Sequence, residues 1–78
     1  YGISLAQYQR MVGDQNGLCA LCGTPPKNGD VLCVDHCHAT ETIRALLCRK
    51  CNTGLGCYND DPALLQRAIE YLGRWRCQ

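Results

Sequence analysis

No run of apolar residues in this 78-residue chain is long enough to cross a bilayer, and its start, Tyr-Gly-Ile-Ser, has neither the basic nor the apolar region of a secretory signal. The expectation is a protein with no membrane attachment in a reduced interior. An initiator Met is also missing, which points to a trimmed segment with possible further domains or self-association outside it. Excess charge of either sign is absent: eight Lys and Arg against seven Asp and Glu give a net charge of +1. Whole-molecule attraction to a polyanion is therefore excluded, and nucleic-acid binding would have to rest on local basic residues. There is no low-complexity tract, and no repeat beyond two Cys-x-x-Cys pairs. Length is lacking too. Residues 1–78 make a single domain, and a domain of this size buries too little surface to be stable on hydrophobic packing alone.

Something else must staple it, and eight cysteines supply the means. Cys19-x-x-Cys22 and Cys48-x-x-Cys51 give four soft thiolates, and a two-residue gap lets both sulfurs of a pair turn toward one ion. Tetrahedral structural zinc is the expected occupant, with Gly23 letting the backbone curl so that amides support the sulfurs. The alternatives are a disulfide framework using all eight cysteines or a redox pair. Of the cysteines outside the set, Cys33 and Cys57 are expected to behave as small buried hydrophobes.

Around the knuckles the pattern predicts a small α+β domain. Ser4-Leu-Ala-Gln7 has the form of a capping box, and Leu5, Tyr8, Met11 and Val12 recur on one helical face, with the helix ending near Gly13 to Gly17. Residues 31–34 and 43–47 are β-favouring, with a turn at residues 39–42, so residues 31–47 read as a hairpin. A helix is expected to open at the second knuckle. A final helix is capped by Asp61, starts at Pro62 and carries Leu64, Leu65, Ala68, Ile69 and Leu72 as an apolar stripe. Trp75 between Arg74 and Arg76 could stack on a base, but at the end of that stripe core packing is the expectation.

Both histidines fall in Val34-Asp35-His36-Cys37-His38, between the Cys pairs. In an extended segment, side chains 36 and 38 share a face, and Asn52 is pinned next to the zinc ligand Cys51. Asp35, Asn52 and the histidines form a mixed oxygen and imidazole set. Oxygen ligands suit Mg²⁺ on a phosphate, and a neutral imidazole suits a base that deprotonates water. The same residues could instead be a hydrogen-bonded surface pair, a histidine could replace a zinc thiolate, or Cys37 could be a nucleophile beside His36. Arg49 and Lys50, between the second pair of ligands, are candidate phosphate contacts.

Tyr1-Gly-Ile, Cys19-Ala-Leu-Cys22-Gly23, Val34-Asp-His-Cys-His-Ala-Thr40, Arg44-Ala-Leu-Leu-Cys48, Cys51-Asn-Thr-Gly-Leu-Gly56 and Asp61-Pro62, in this order, resemble the recombination endonuclease VII group of HNH (His-Me finger) nucleases. The resemblance covers nearly the whole chain. It implies a ββα-metal core with flanking helices and a zinc at Cys19, Cys22, Cys48 and Cys51. It also implies a catalytic Mg²⁺ or Mn²⁺ at Asp35 and Asn52, His36 activating water, His38 near the scissile phosphate, and Arg44 facing phosphate. The implied function is a DNA endonuclease in the cytoplasm of a bacterial or phage-infected cell; the rival is a non-catalytic zinc module binding nucleic acid or protein. Two positions depart from the family's pattern: Glu41 stands where Gly is expected in the hairpin turn, and Cys57 where a larger apolar residue is usual. Only one helix follows the knuckles, so Holliday-junction specificity is not expected to carry over.

Overall fold

The chain, seen here as a computed structural model describing residues 2–75, runs α1 (Leu5–Asp14), β1 (Cys33–His36), β2 (Ile43–Leu47), α2 (Arg49–Cys57) and α3 (Pro62–Trp75). Helix α1 begins where the capping signal places it: the Ser4 hydroxyl accepts from the Gln7 N–H at 3.1 Å. It ends before Asn16 and Gly17, whose positive φ values of 56° and 72° lie outside the helical region. On its inner face Tyr8, Met11 and Val12 pack on the core, whereas Leu5, expected in the same stripe, is exposed. Asp61 caps α3, accepting from the Ala63 N–H at 3.0 Å through its side chain.

The core is small: Cys19, Leu32, Leu46, Leu47 and Cys48 are buried, and two of these are knuckle cysteines. Packing and metal chemistry thus share the same few residues, as the size argument requires. Strands β1 and β2 pair antiparallel, with Cys33 opposite Leu47 and Asp35 opposite Ala45. The first strand was expected at residues 31–34, but it lies two residues later. The reason is the end of its partner: β2 stops at Leu47 because Cys48 turns away into the knuckle, leaving nothing for Val31 and Leu32 to pair with. Leu32 is buried all the same, and its carbonyl accepts from the Tyr8 hydroxyl at 2.7 Å.

Helix α3 departs most from expectation. Ile69, Leu72 and Trp75 are exposed while Leu64, Leu65 and Ala68 are half-buried, and none of them packs on the core. Contacts tie α1 and α2 to the hairpin, but none joins α3 to another element among the described residues. The radius of gyration, 14.3 Å, exceeds the roughly 11.5 Å of a compact chain this long. Cys57 is also exposed and Cys33 half-buried, so the small-hydrophobe reading fails for Cys57. Arg76 and Cys77 lie outside the described residues.

Candidate active site and metal centre

The knuckles converge. The four sulfurs of Cys19, Cys22, Cys48 and Cys51 all lie within 4.8 Å of one another, with Cys22 Sγ and Cys48 Sγ 3.8 Å apart. A tetrahedron of Zn–S bonds of about 2.3 Å has edges of about 3.8 Å, so the donor set and its spacing both fit zinc. Gly23 does what its position suggests: at φ +74° its N–H donates to the Cys19 carbonyl at 2.9 Å, closing the turn. The N–H groups of Leu21 and Cys22 point at Cys19 Sγ, at 3.4 and 3.5 Å.

These amides shape the thiol chemistry. Burial pushes the Cys19 thiol up, but backbone N–H groups of Cys22, Cys48 and Leu21 outweigh it and bring it down to about 6. Burial and the neighbouring thiols of Cys48, Cys22 and Cys19 push Cys51 up to about 12. One sulfur of the cluster thus ionises readily and another resists, the condition a divalent soft metal relieves. With four thiolates present, neither histidine is needed in the shell.

The second group of candidate residues is carried by the turn end of the hairpin. Strand pairing slips between Asp35 and His36, because Asp35 faces Ala45 while His36 faces Ile43, leaving Arg44 as the extra residue on β2. Such bulges re-aim a side chain. Here the Arg44 guanidinium lies against the Asp35 carboxylate, Nε donating to Oδ2 at 2.7 Å and Nη2 to Oδ1 at 3.0 Å. Asp35, 8% exposed, is the only buried charged residue among those described. A buried carboxylate needs such a partner. The hydrogen bond to Asp35 in turn raises the Arg44 pKa above its usual value.

His36 ends β1 and His38 opens the turn, so they do not share one extended segment. Their rings nonetheless meet, centroids 4.6 Å apart and tilted by 53°. Cys37 between them has its thiol held below its usual range by the Thr40 hydroxyl and the Thr40 and Ala39 N–H groups. Asn52 is placed by α2 rather than by a side-chain contact: it follows Cys51, and its N–H donates to the Cys48 carbonyl at 3.0 Å. The helix carrying it packs on both strands. Asp35 and Asn52 carry oxygen donors, the kind that Mg²⁺ and Mn²⁺ take rather than a sulfur-seeking metal.

A cavity of about 510 Å³ opens over the hairpin end, lined by Cys37, His38, Ala39, Arg44, Gly56, Asn59 and Asp60. Asp60 was not singled out from sequence, yet its Oδ2 accepts from Arg44 Nη2 at 3.3 Å. Only its position just past a helix opened by the second knuckle could have hinted at it. Arg49 and Lys50 are elsewhere, lining a separate cavity of about 520 Å³ with Lys27, Thr24 and Thr53. Arg49 is committed there to Asp30, at 3.0 and 2.9 Å. No helix among the described residues is long and apolar enough to cross a membrane.

Comparison with known proteins supplies a context for this geometry. Residues 1–74 match the family described as recombination endonuclease VII. The chain is 41% identical over 73 residues to the Gene 59 protein of Mycobacterium phage D29, covering 92% of this chain and 44% of that protein. The Gene 59 protein of Mycobacterium phage L5 is 40% identical over the same length and shares. Among solved structures, the ββα-Me type II restriction endonuclease Hpy99I is similar with a TM-score of 0.67 at 33% identity, over 92% of this chain and 42% of that one. The chain therefore spans less than half the length of the relatives it matches. The fold is that of a ββα-metal unit, formed here by β1, β2 and α2.

Proposed function

The chain belongs to the recombination endonuclease VII family, and from that membership we propose that it is the catalytic segment of a metal-dependent HNH endonuclease that hydrolyses DNA phosphodiester bonds. One observation carries the reading: the only buried charge among the described residues, Asp35, is clasped by Arg44, which lines a cavity together with His38, whose ring packs on that of His36. A zinc scaffold alone has no use for a desolvated carboxylate in that position.

In this reading His36 takes a proton from the attacking water. His38, on the cavity wall, and Arg44 hold the phosphate, the guanidinium fork matching two of its oxygens. Asp35 and Asn52 would hold a Mg²⁺ or Mn²⁺ ion, which would supply charge stabilisation at the phosphate and the leaving oxygen. Cys19, Cys22, Cys48 and Cys51 hold zinc and thereby fix α2 and Asn52 against the hairpin. Arg49 and Lys50 would contact phosphates away from the cut. The Cys37 thiol has no assigned step.

The test is cleavage of linear, supercoiled, single-stranded and branched DNA by the zinc-loaded protein, with and without Mg²⁺ or Mn²⁺. Cation-dependent scission is expected. DNA binding with no scission under any cation would leave the non-catalytic zinc module instead.

A further inference from the structure

Asp60 stands outside the set just described, yet it shares the guanidinium with the proposed cation ligand. Arg44 Nη2 donates both to Asp35, at 3.0 Å, and to Asp60, at 3.3 Å. The fold holds Asp60 there against a conformational preference. Asn59 and Asp60 are consecutive residues in the left-handed region, at φ 57° and 53°. This is a conformation that side chains disfavour, although Asn and Asp tolerate it best. Three backbone bonds lock the pair: Asn59 N–H to Gly56 O at 3.0 Å, Asp60 N–H to Leu55 O at 2.9 Å, and Asp61 N–H to Tyr58 O at 3.0 Å. The chain thus doubles back at the end of α2 and brings the Asp60 carboxylate to the cavity that Arg44 and His38 line.

Electrostatics gives this placement a use. Both Asp35 oxygens are taken by Arg44, and a divalent cation on the same carboxylate would repel the guanidinium at close range in a partly desolvated site. A cation on Asp35 therefore favours the withdrawal of Arg44 from it. Without another partner, the displaced guanidinium would swing into water and away from the phosphate. Asp60 is less buried than Asp35, with 25% of its side chain exposed against 11%, so it offers the second seat toward the cavity side.

We propose that Asp60 is a positioning residue that receives Arg44 when a divalent cation occupies Asp35, keeping the guanidinium over the cavity to meet the phosphate. This rests on the reading of Asp35 as the catalytic cation ligand. Asp60 touches no reacting atom in this scheme; it acts through Arg44.

The experiment is a double-mutant cycle read by Mn²⁺ binding, using calorimetry on the zinc-loaded protein without DNA. Asp60→Asn should weaken Mn²⁺ binding by about 5-fold or more, because the displaced guanidinium has lost its seat. Arg44→Gln should bind Mn²⁺ at least as tightly as wild type, since the competitor is gone. In that background Asp60→Asn should change the affinity less than 2-fold, and Asp60→Glu should stay close to wild type. Zinc content and melting temperature confirm that each variant is folded, and Arg44→Met serves if Arg44→Gln is not. If Asp60→Asn weakens binding equally in both backgrounds, Asp60 acts only as a nearby charge or a structural residue, and the proposal falls. Wild-type binding that Asp60→Asn leaves unaltered removes it as well. If the zinc-loaded wild type binds no Mn²⁺, the assignment of Asp35 falls and takes the proposal with it.

Discussion

The side-chain amide of Gln15 pairs with the backbone of Leu46 as a neighbouring strand would: Nε2 donates to the Leu46 carbonyl at 3.0 Å, and Oε1 accepts from the Leu46 N–H at 3.0 Å. Nε2 also donates to the Leu18 carbonyl at 2.7 Å. One side chain at the end of α1 thereby satisfies the outer edge of β2 beside the most deeply buried residue of the core. Gln15→Met, similar in length but without these donors and acceptors, leaves part-buried backbone groups unpaired. It should cost about 2 kcal/mol, read as a fall in melting temperature of roughly 8–16 °C. An unchanged melting curve would show that water replaces the amide without loss.

Chemistry and scaffolding should separate by variant. His36→Ala should abolish cation-dependent DNA cleavage while zinc, about one per chain, and thermal stability stay near wild type. Cys48→Ser opens the sulfur shell, so zinc and folding should be lost together, and activity only as a consequence. Asn52→Ala should fall with His36→Ala, weakening the Mg²⁺ dependence and retaining zinc. Zinc stoichiometry, melting temperature and plasmid cleavage on all three variants decide it; zinc loss from His36→Ala would move that histidine into the structural site.

Acid should release zinc. The Cys19 thiol is brought from 9.0 to about 6 in the folded chain. Its ionised form therefore adds stability fully present above pH 9 and lost as pH falls through about 6. Protons compete with the metal for all four sulfurs, including Cys51, whose thiol is pushed up to about 12. A zinc-sensitive dye followed across a pH titration should report zinc released as pH falls; zinc retention independent of pH would contradict a shell of thiolates.

The hairpin turn carries a correctable strain. Glu41, where Gly was expected, has φ 57°, and its N–H closes the turn onto the Cys37 carbonyl at 2.6 Å. Left-handed geometry costs a residue with a Cβ about 1–2 kcal/mol, and the extra chain entropy of Gly returns roughly 0.5–1 kcal/mol of that. Glu41→Gly should therefore stabilise modestly, raising the melting temperature by a few degrees. It should also tighten DNA binding at low salt by removing a negative charge from the hairpin turn. A lower melting temperature would place the left-handed preference elsewhere.

The sequence by itself determined whatever depends on neighbours a few residues apart. The cap of α1 by Ser4, the start of α3 at Asp61-Pro62, the limits of β2 and the zinc set all follow from spacings of two to four residues, which local geometry converts directly into structure. The convergence of His36 and His38 was legible for the same reason, although a turn rather than a strand brings the rings together. Only the tertiary structure decided which residue stands opposite which. The bulge that frees Arg44 to clasp Asp35, the arrival of Asp60 across 16 residues, and the docking of Gln15 on Leu46 across 31 all depend on register and packing, which no short window contains. The stripe of α3 marks the other boundary of sequence reading. A helical repeat of apolar residues states that a face is suited to burial, but whether anything covers it is a property of the assembled surfaces; here Ile69, Leu72 and Trp75 face outward.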